Sequence, residues 1–198
     1  MSGFVRFVDR LSLCVGHAFG WSILILTFGI AYEVFVRYVL HSPTVWAYDI
    51  GYMMYGALFL MAGPYTLSRN GHVRGDFIYR LWSPRRQAMV DFVLYILFLL
   101  PGSLALIYSG WFFAAQSWRF RESSIFSPAG VPIYPMKTLI PIAGVLLVLQ
   151  TAAEMVRCWQ CIKSGQWPRR LHDVEELETV LMKTHTMPGG MSAPESRP

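Results

Sequence analysis

The stretch Tyr32–Asp49, YEVFVRYVLHSPTVWAYD, decides how this chain is laid out. It closes one long apolar segment, turns at His41-Ser42-Pro43 and opens the next. It also sets Glu33, Arg37 and Asp49 at the edge of that apolar material. Charge beside a membrane-length run is costly, so it marks a partner or a function. Glu33 precedes Arg37 by four residues, so on a helix the two share a face and can pair. Two readings stand: a salt bridge with Arg37 snorkelling outward, or a contact to another subunit. One pair can serve both. Asp49 falls in the first turn of the following segment, where negative charge complements the helix dipole, and Trp46 and Tyr48 suit an interfacial aromatic belt.

Working outward, the 198 residues are 54% hydrophobic and only 15% charged, with a mean hydropathy of +0.39; ordinary globular chains carry about 25% charge. Four segments reach the roughly 20 apolar residues that a helix needs to cross a bilayer: His17–Leu40, Val45–Leu67, Gln87–Trp118 and Pro135–Trp159. Backbone groups in lipid must be satisfied within the segment, and barrel-type alternation is absent. The expected fold is therefore an all-α integral membrane protein with four transmembrane helices and interfacial amphipathic helices. The net charge of +5 does not point to nucleic acid, because the basic residues sit in the connections. Only Arg37, Arg119, Arg121 and Lys137 fall on one side of the predicted spans, and the rest fall on the side of both ends. By the positive-inside rule both termini are expected to be cytoplasmic.

The expected organisation is an amphipathic lead-in (1–16), a membrane domain (17–160) and a polar cytoplasmic tail (161–198). In the lead-in, Phe4, Val5, Phe7, Val8 and Leu11 recur at helical spacing with Arg6, Asp9 and Arg10 between them, a pattern suited to the interface. The first apolar run is too long for a signal-peptide core, so it is expected to stay as a span. Small residues in span two (Gly51, Gly56, Ala57, Ala62, Gly63) permit close helix approach, and Pro64 is expected to kink its cytoplasmic end. The connection Ser68–Arg86 reads as a short interfacial helix. Span three is long enough to require tilt or extension, with a bend at Pro101-Gly102. Arg119–Met136 is the main external loop: Arg119, Arg121, Glu122 and Ser123, ahead of three prolines and a glycine, make it the largest candidate surface for an external protein. In span four, Gln150 and Glu154 share a face, and Glu154 reads with Arg157 as a cytoplasmic-edge pair. Leu171–Met182 is expected to form an acidic amphipathic helix and Met187–Pro198 to be disordered.

The chemistry is sparse. No Gly-rich phosphate loop, Ser/His/Asp set or Cys/His metal cluster is evident, so no catalytic residue, cofactor or metal site is expected. His72 between two glycines lacks ligands at metal spacing. Cys158-Trp-Gln-Cys161 has redox-motif spacing without a surrounding βαβ pattern, and reads as packing. Of the histidines only His17 lies in a span, which argues against a haem-bearing redox anchor. A self-contained small proton-coupled multidrug exporter would use Glu33, but Arg37 one turn later neutralises it.

Several pieces in order carry a resemblance: Arg37-Tyr38 ending span one, Trp46-x-x-Asp49 opening span two, Gly71-His72-Val73-Arg74-x-Asp76 in the cytoplasmic connection, Ser83-Pro84-Arg85-Arg86 before span three, and Gln150 in span four. Over roughly Leu26–Arg157 the chain resembles the small membrane subunit of tripartite ATP-independent periplasmic (TRAP) transporters. It departs at Asp49, where Glu is common in the family, and at Gly75, where a larger apolar residue is common. The resemblance implies an inner-membrane, non-catalytic permease subunit that braces a large elevator-type subunit on a separate chain. It also implies a periplasmic substrate-binding protein, sodium coupling in the large subunit and uptake of an organic acid anion. Glu33, Arg37, Tyr38, Trp46, Asp49, His72, Arg74 and Asp76 would then be interface or structural residues. Arg119, Arg121, Glu122 and Ser123 would lie near the binding protein.

Overall fold

The computed structural model describes residues 3–69, 79, 81–126 and 128–168, and long helices organise them. Helix α1 (Gly3–Gly20) and α2 (Ser22–Tyr38) form one rod of 36 residues, stepped only at Trp21. Around the step the Ser22 hydroxyl donates to the Phe19 carbonyl, and Leu24 N donates to Trp21 O at 3.1 Å. After the Tyr32–Asp49 turn, α3 (Ala47–Ser68) carries Pro64 four residues before its end. Pro84 at the first position, behind an extended Ser83, starts α4 (Pro84–Leu94), as proline's missing N–H and fixed φ favour. A π-turn at Tyr95–Leu99 joins it to α5 (Leu100–Phe120). Pro101 has no N–H for the i−4 carbonyl, and the helix widens one turn earlier to pass it. The bend expected at Pro101-Gly102 thus has its irregular turn just upstream. Helix α6 (Tyr134–Ser164) ends at Gly165, whose φ of 78° and N–H to Cys161 O at 2.7 Å close it in the left-handed manner.

Side-chain neighbours fix the directions. Leu26 is the nearest neighbour of Gly51 and Tyr65 packs on Gly16, so α3 runs back along the α1–α2 rod. Met136 abuts Gly56 and Leu147 faces Gly63, so α6 runs the same way as α3. Ile107 abuts Gly144, and Trp118 Nε1 donates to Thr138 Oγ1 at 2.7 Å, so α5 runs opposite to α6. The four passes alternate, and α1 begins at the end of the molecule where α6 finishes.

These passes do not close into a bundle. The contacts run in a row, α2 to α3 to α6 to α5, and among the described residues α2 makes no extended contact with α5 or α6. Helix α1 extends the first pass to touch both α3 and α6. An open row leaves two broad faces uncovered, and Phe28, Phe59, Phe98 and Tyr108 are among its exposed large side chains. Three helical stretches are long and apolar enough to cross a membrane: Gly3–Tyr38, Pro84–Phe120 and Tyr134–Ser164. No strand occurs among the described residues beyond one isolated bridge, Ser123 to Pro132. The helix expected at Leu171–Met182, the tail Met187–Pro198 and nearly all of the connection after Arg69 lie outside the described residues.

Candidate functional site

Two polar constellations sit at opposite ends of the row. At the end where α2 turns into α3, Glu33 on α2 accepts from Arg37 at 2.7 Å (Nη2) and 3.0 Å (Nε) through one carboxylate oxygen. Its other oxygen accepts from the Thr44 backbone N–H at 3.2 Å and from the Thr44 hydroxyl. Both oxygens are therefore engaged, and Glu33 ties the end of α2 to the loop that starts α3. His41, at φ 52°, and the Ser42 N–H to Val36 O bond at 3.2 Å tighten the same turn. Tyr38 and Trp46 are exposed.

Asp49, in the first turn of α3, is fully buried and accepts from Ser124 Oγ at 2.6 Å. Ser124 in turn accepts from Phe126 N–H at 3.2 Å, while the Phe126 ring meets Tyr48 and Tyr52 edge-on at centroid distances of 6.2 and 6.1 Å. The loop between α5 and α6 is thereby pinned across to α3. Within the loop, Ser124 N donates to Val131 O at 2.8 Å and Ile133 N to Glu122 O at 3.0 Å. Ser123 bridges to Pro132, and Arg121 ends α5 in the left-handed conformation at φ 48°. Arg119 and Arg121 are exposed. Lys137 pairs with Glu122 and stands 4.0 Å above the Phe113 ring.

The hydrogen bond from Lys137 holds the Glu122 carboxyl below its ordinary value of 4.5. A depressed carboxylate contributes its tether above its unfolded pKa and loses it as pH falls through the lowered folded value. The loop should therefore stay pinned at neutral pH and loosen only below about 4.5, the ordinary value. In Glu122→Gln, limited proteolysis between residues 122 and 133 is expected to be faster at neutral pH and to lose that acid dependence. An acid transition unchanged in the variant would assign it to another group.

The second constellation lies between α1 and α6. Ser12 Oγ donates to Gln150 Oε1 at 2.8 Å, and Gln150 Nε2 reaches Asp9 Oδ1 at 3.1 Å and Glu154 Oε1 at 3.2 Å. Arg157 pairs with both Asp9 and Glu154. All five residues are nearly inaccessible, at 2% exposure or less. Val5, Val8 and Ala153 pack beside them with Leu149 and Val156. Glu154 and Arg157 do pair, but as part of a buried network that includes the first helix, not as a pair at an edge. Asp9, grouped by sequence with the wet face of the lead-in, faces inward, and Phe4 and Phe7 face outward. The readable signal was polar spacing on both partners: Asp9 and Ser12 are three apart, while Gln150, Glu154 and Arg157 share one stripe. Thr44 and Ser124 carry no comparable signal.

Cys158 and Cys161 are buried and pack with Ala88, while Cys14 is exposed. Gly71, His72, Val73, Arg74 and Asp76 lie outside the described residues. Among the described residues no group of three His, Cys, Asp or Glu side chains is placed to hold a metal ion.

Long apolar helices in an open row, fastened by polar ties at each end, define a helical membrane component of a larger assembly. The family described as tripartite ATP-independent periplasmic transporters, DctQ component, matches residues 26–161. The chain belongs to that family, and is a small membrane subunit of a TRAP transporter. No curated protein matches the chain.

Proposed function

We propose that this chain is the non-catalytic small permease subunit of a sodium-coupled, binding-protein-dependent secondary transporter that takes up an organic acid anion. It braces the static scaffold of a large elevator-type subunit, which carries the substrate and the sodium. The observation that carries this reading is the open row of passes, whose wide apolar faces need covering. All four passes cross the inner membrane. Helix α3 is flanked by α1, α2 and α6, and its 22 residues extend about 33 Å at 1.5 Å each, enough for the hydrocarbon core. The ends of α1 and α6, with the basic residues around them, face the cytoplasm, and the clamp of Glu33, Thr44, Asp49 and Ser124 faces the periplasm. There, exposed Arg119 and Arg121 lie in reach of a docked binding protein.

The test is coexpression. Produced with its large subunit, the chain is expected to purify as a stable complex; produced alone it should aggregate or be degraded. In assembled complex, Glu33→Gln should leave uptake in place, since both carboxylate oxygens are committed to Arg37 and Thr44. Robust uptake by cells lacking any large subunit would sink the proposal.

A further inference from the structure

The fold sorts the charges of α1. Its one acidic residue, Asp9, is 2% exposed, faces α6 and pairs there with Arg157. Arg6 and Arg10, on either side of it in sequence, are exposed, and neither enters an ion pair among the described residues. At about 100° per residue, the buried Val5, Val8, Asp9 and Ser12 fill about 100° of the helix circumference. Arg6, Arg10, Phe7 and Phe4 follow in that order around the remainder, so two cations stand beside two exposed phenyl rings. The spacing in the sequence mixes both signs on this face, and the structure leaves its outward side without an acidic side chain.

The placement of α1 suits such a face. Gly16 meets Tyr65 on α3 and Val8 packs with Ala153 on α6, so the helix crosses from one to the other at the end of the row where α6 finishes. At the opposite end, the Trp118 and Tyr134 rings pair at a centroid distance of 4.4 Å, as side chains of an interfacial belt do. Measured from Tyr134, where α6 begins, Ala153 lies about 29 Å along the helix, which matches the thickness of the hydrocarbon core. Helix α1 therefore crosses at headgroup depth. A protein covering it would have to bury two guanidinium groups and supply an anion to each. The headgroup layer supplies phosphates all along the helix and takes phenyl rings just beneath them.

Resting on the membrane placement proposed above, we propose that the outward face of α1 is a binding surface for anionic phospholipid. Arg6 and Arg10 engage the headgroup phosphates, Phe4 and Phe7 insert among the upper acyl carbons, and the buried bonds of Asp9 to Arg157 and Gln150 hold the helix in that rotation.

The test uses the chain coexpressed and purified with its large subunit. The complex is titrated with phosphatidylglycerol or phosphatidylcholine, and bound lipid is counted by native mass spectrometry. Wild type is expected to retain phosphatidylglycerol about tenfold more tightly or better, Arg6→Gln with Arg10→Gln to lose that preference, and Arg6→Lys with Arg10→Lys to keep most of it. Equal retention of the two lipids by wild type, or an undiminished preference in the glutamine variant, overturns the surface. So does a glutamine variant that no longer assembles while the lysine variant does, since the arginines would then serve a subunit contact. A second measurement replaces Phe7 with photo-crosslinking benzoylphenylalanine and irradiates the complex in membranes. A mass gain of one phospholipid is expected; an adduct to the large subunit, or none at all, overturns the proposal. Wild-type chain that copurifies with no permease subunit defeats the underlying function, whereas loss of lipid preference in an intact complex defeats this surface alone.

Discussion

Arg157→Met is expected to lower stability by about 3–5 kcal/mol, the range for removing one partner of a buried ion pair. Arg157 is 1% exposed and pairs with Asp9 from α1 and Glu154 from its own helix. Without it, two carboxylates would share an enclosed space with one amide and one hydroxyl. Arg157 also forms part of the attachment between the first helix and α6, so the loss should appear as early release of α1. The measurement is the unfolding midpoint of the detergent-solubilised complex in sodium dodecyl sulfate, together with protease sensitivity of residues 3–20.

A second arm separates charge from packing. Replacing the whole triad by apolar residues, Asp9→Leu with Glu154→Met and Arg157→Met, is expected to recover most of the loss, because a buried ion set often contributes no more than well-packed apolar side chains. A double-mutant cycle on Asp9 and Arg157 should show coupling well above the few tenths of a kcal/mol expected for independent sites. If Arg157→Met unfolds at the wild-type midpoint, or the apolar triad does no better than the single variant, the network is not the fastening described.

How much of this was legible follows from the range of each signal. The Glu33–Arg37 pairing and the position of Asp49 in the first turn of α3 are local facts, readable from spacing within one helix. The partners that complete those sites are not local: Ser124 lies 75 residues from Asp49, and Arg157 lies 148 residues from Asp9. In the first helix, apolar periodicity grouped Val5 and Val8 with Phe4 and Phe7 on one interfacial face, with Asp9 among the polar residues between them. Beside lipid that inference fails, since large apolar side chains turn outward and the small and polar ones (Val5, Val8, Asp9, Ser12) meet protein. The same inversion hid the open row. Four apolar segments predict four helices, but only the contacts of Gly51, Gly56, Gly63, Gly110 and Gly144 say which passes are neighbours.

Gly144 gives the other large expected effect. A Cβ there would lie 2.7 Å from Ile107 Cγ1, 3.1 Å from Ile107 N and 3.3 Å from Ser103 O. Rotating Ile107 relieves the first contact, but the other two are backbone and yield only if α5 moves away from α6. On the facing helix, a Cβ on Gly110 would lie 2.9 Å from Ile140 Cγ2 and 3.1 Å from Pro141 N, so each helix sits in the other's missing side chain. Such close approach is what drives helix association where lipid removes the hydrophobic term. Gly144→Ala is therefore expected to cost about 1–3 kcal/mol, the usual range for overpacking, despite alanine's better helix propensity. Gly144→Leu should separate the pair and unpin the loop between α5 and α6, because Trp118–Thr138 and Glu122–Lys137 both span the same seam. Gly29→Ala on α2 is the control: nothing lies within 4 Å of its Cβ, so propensity alone should act, a gain of up to about 1 kcal/mol. Opposite shifts of the unfolding midpoint in Gly144→Ala and Gly29→Ala are the expected result. Shifts of the same sign would mean that α5 and α6 are not held at the separation these glycines set.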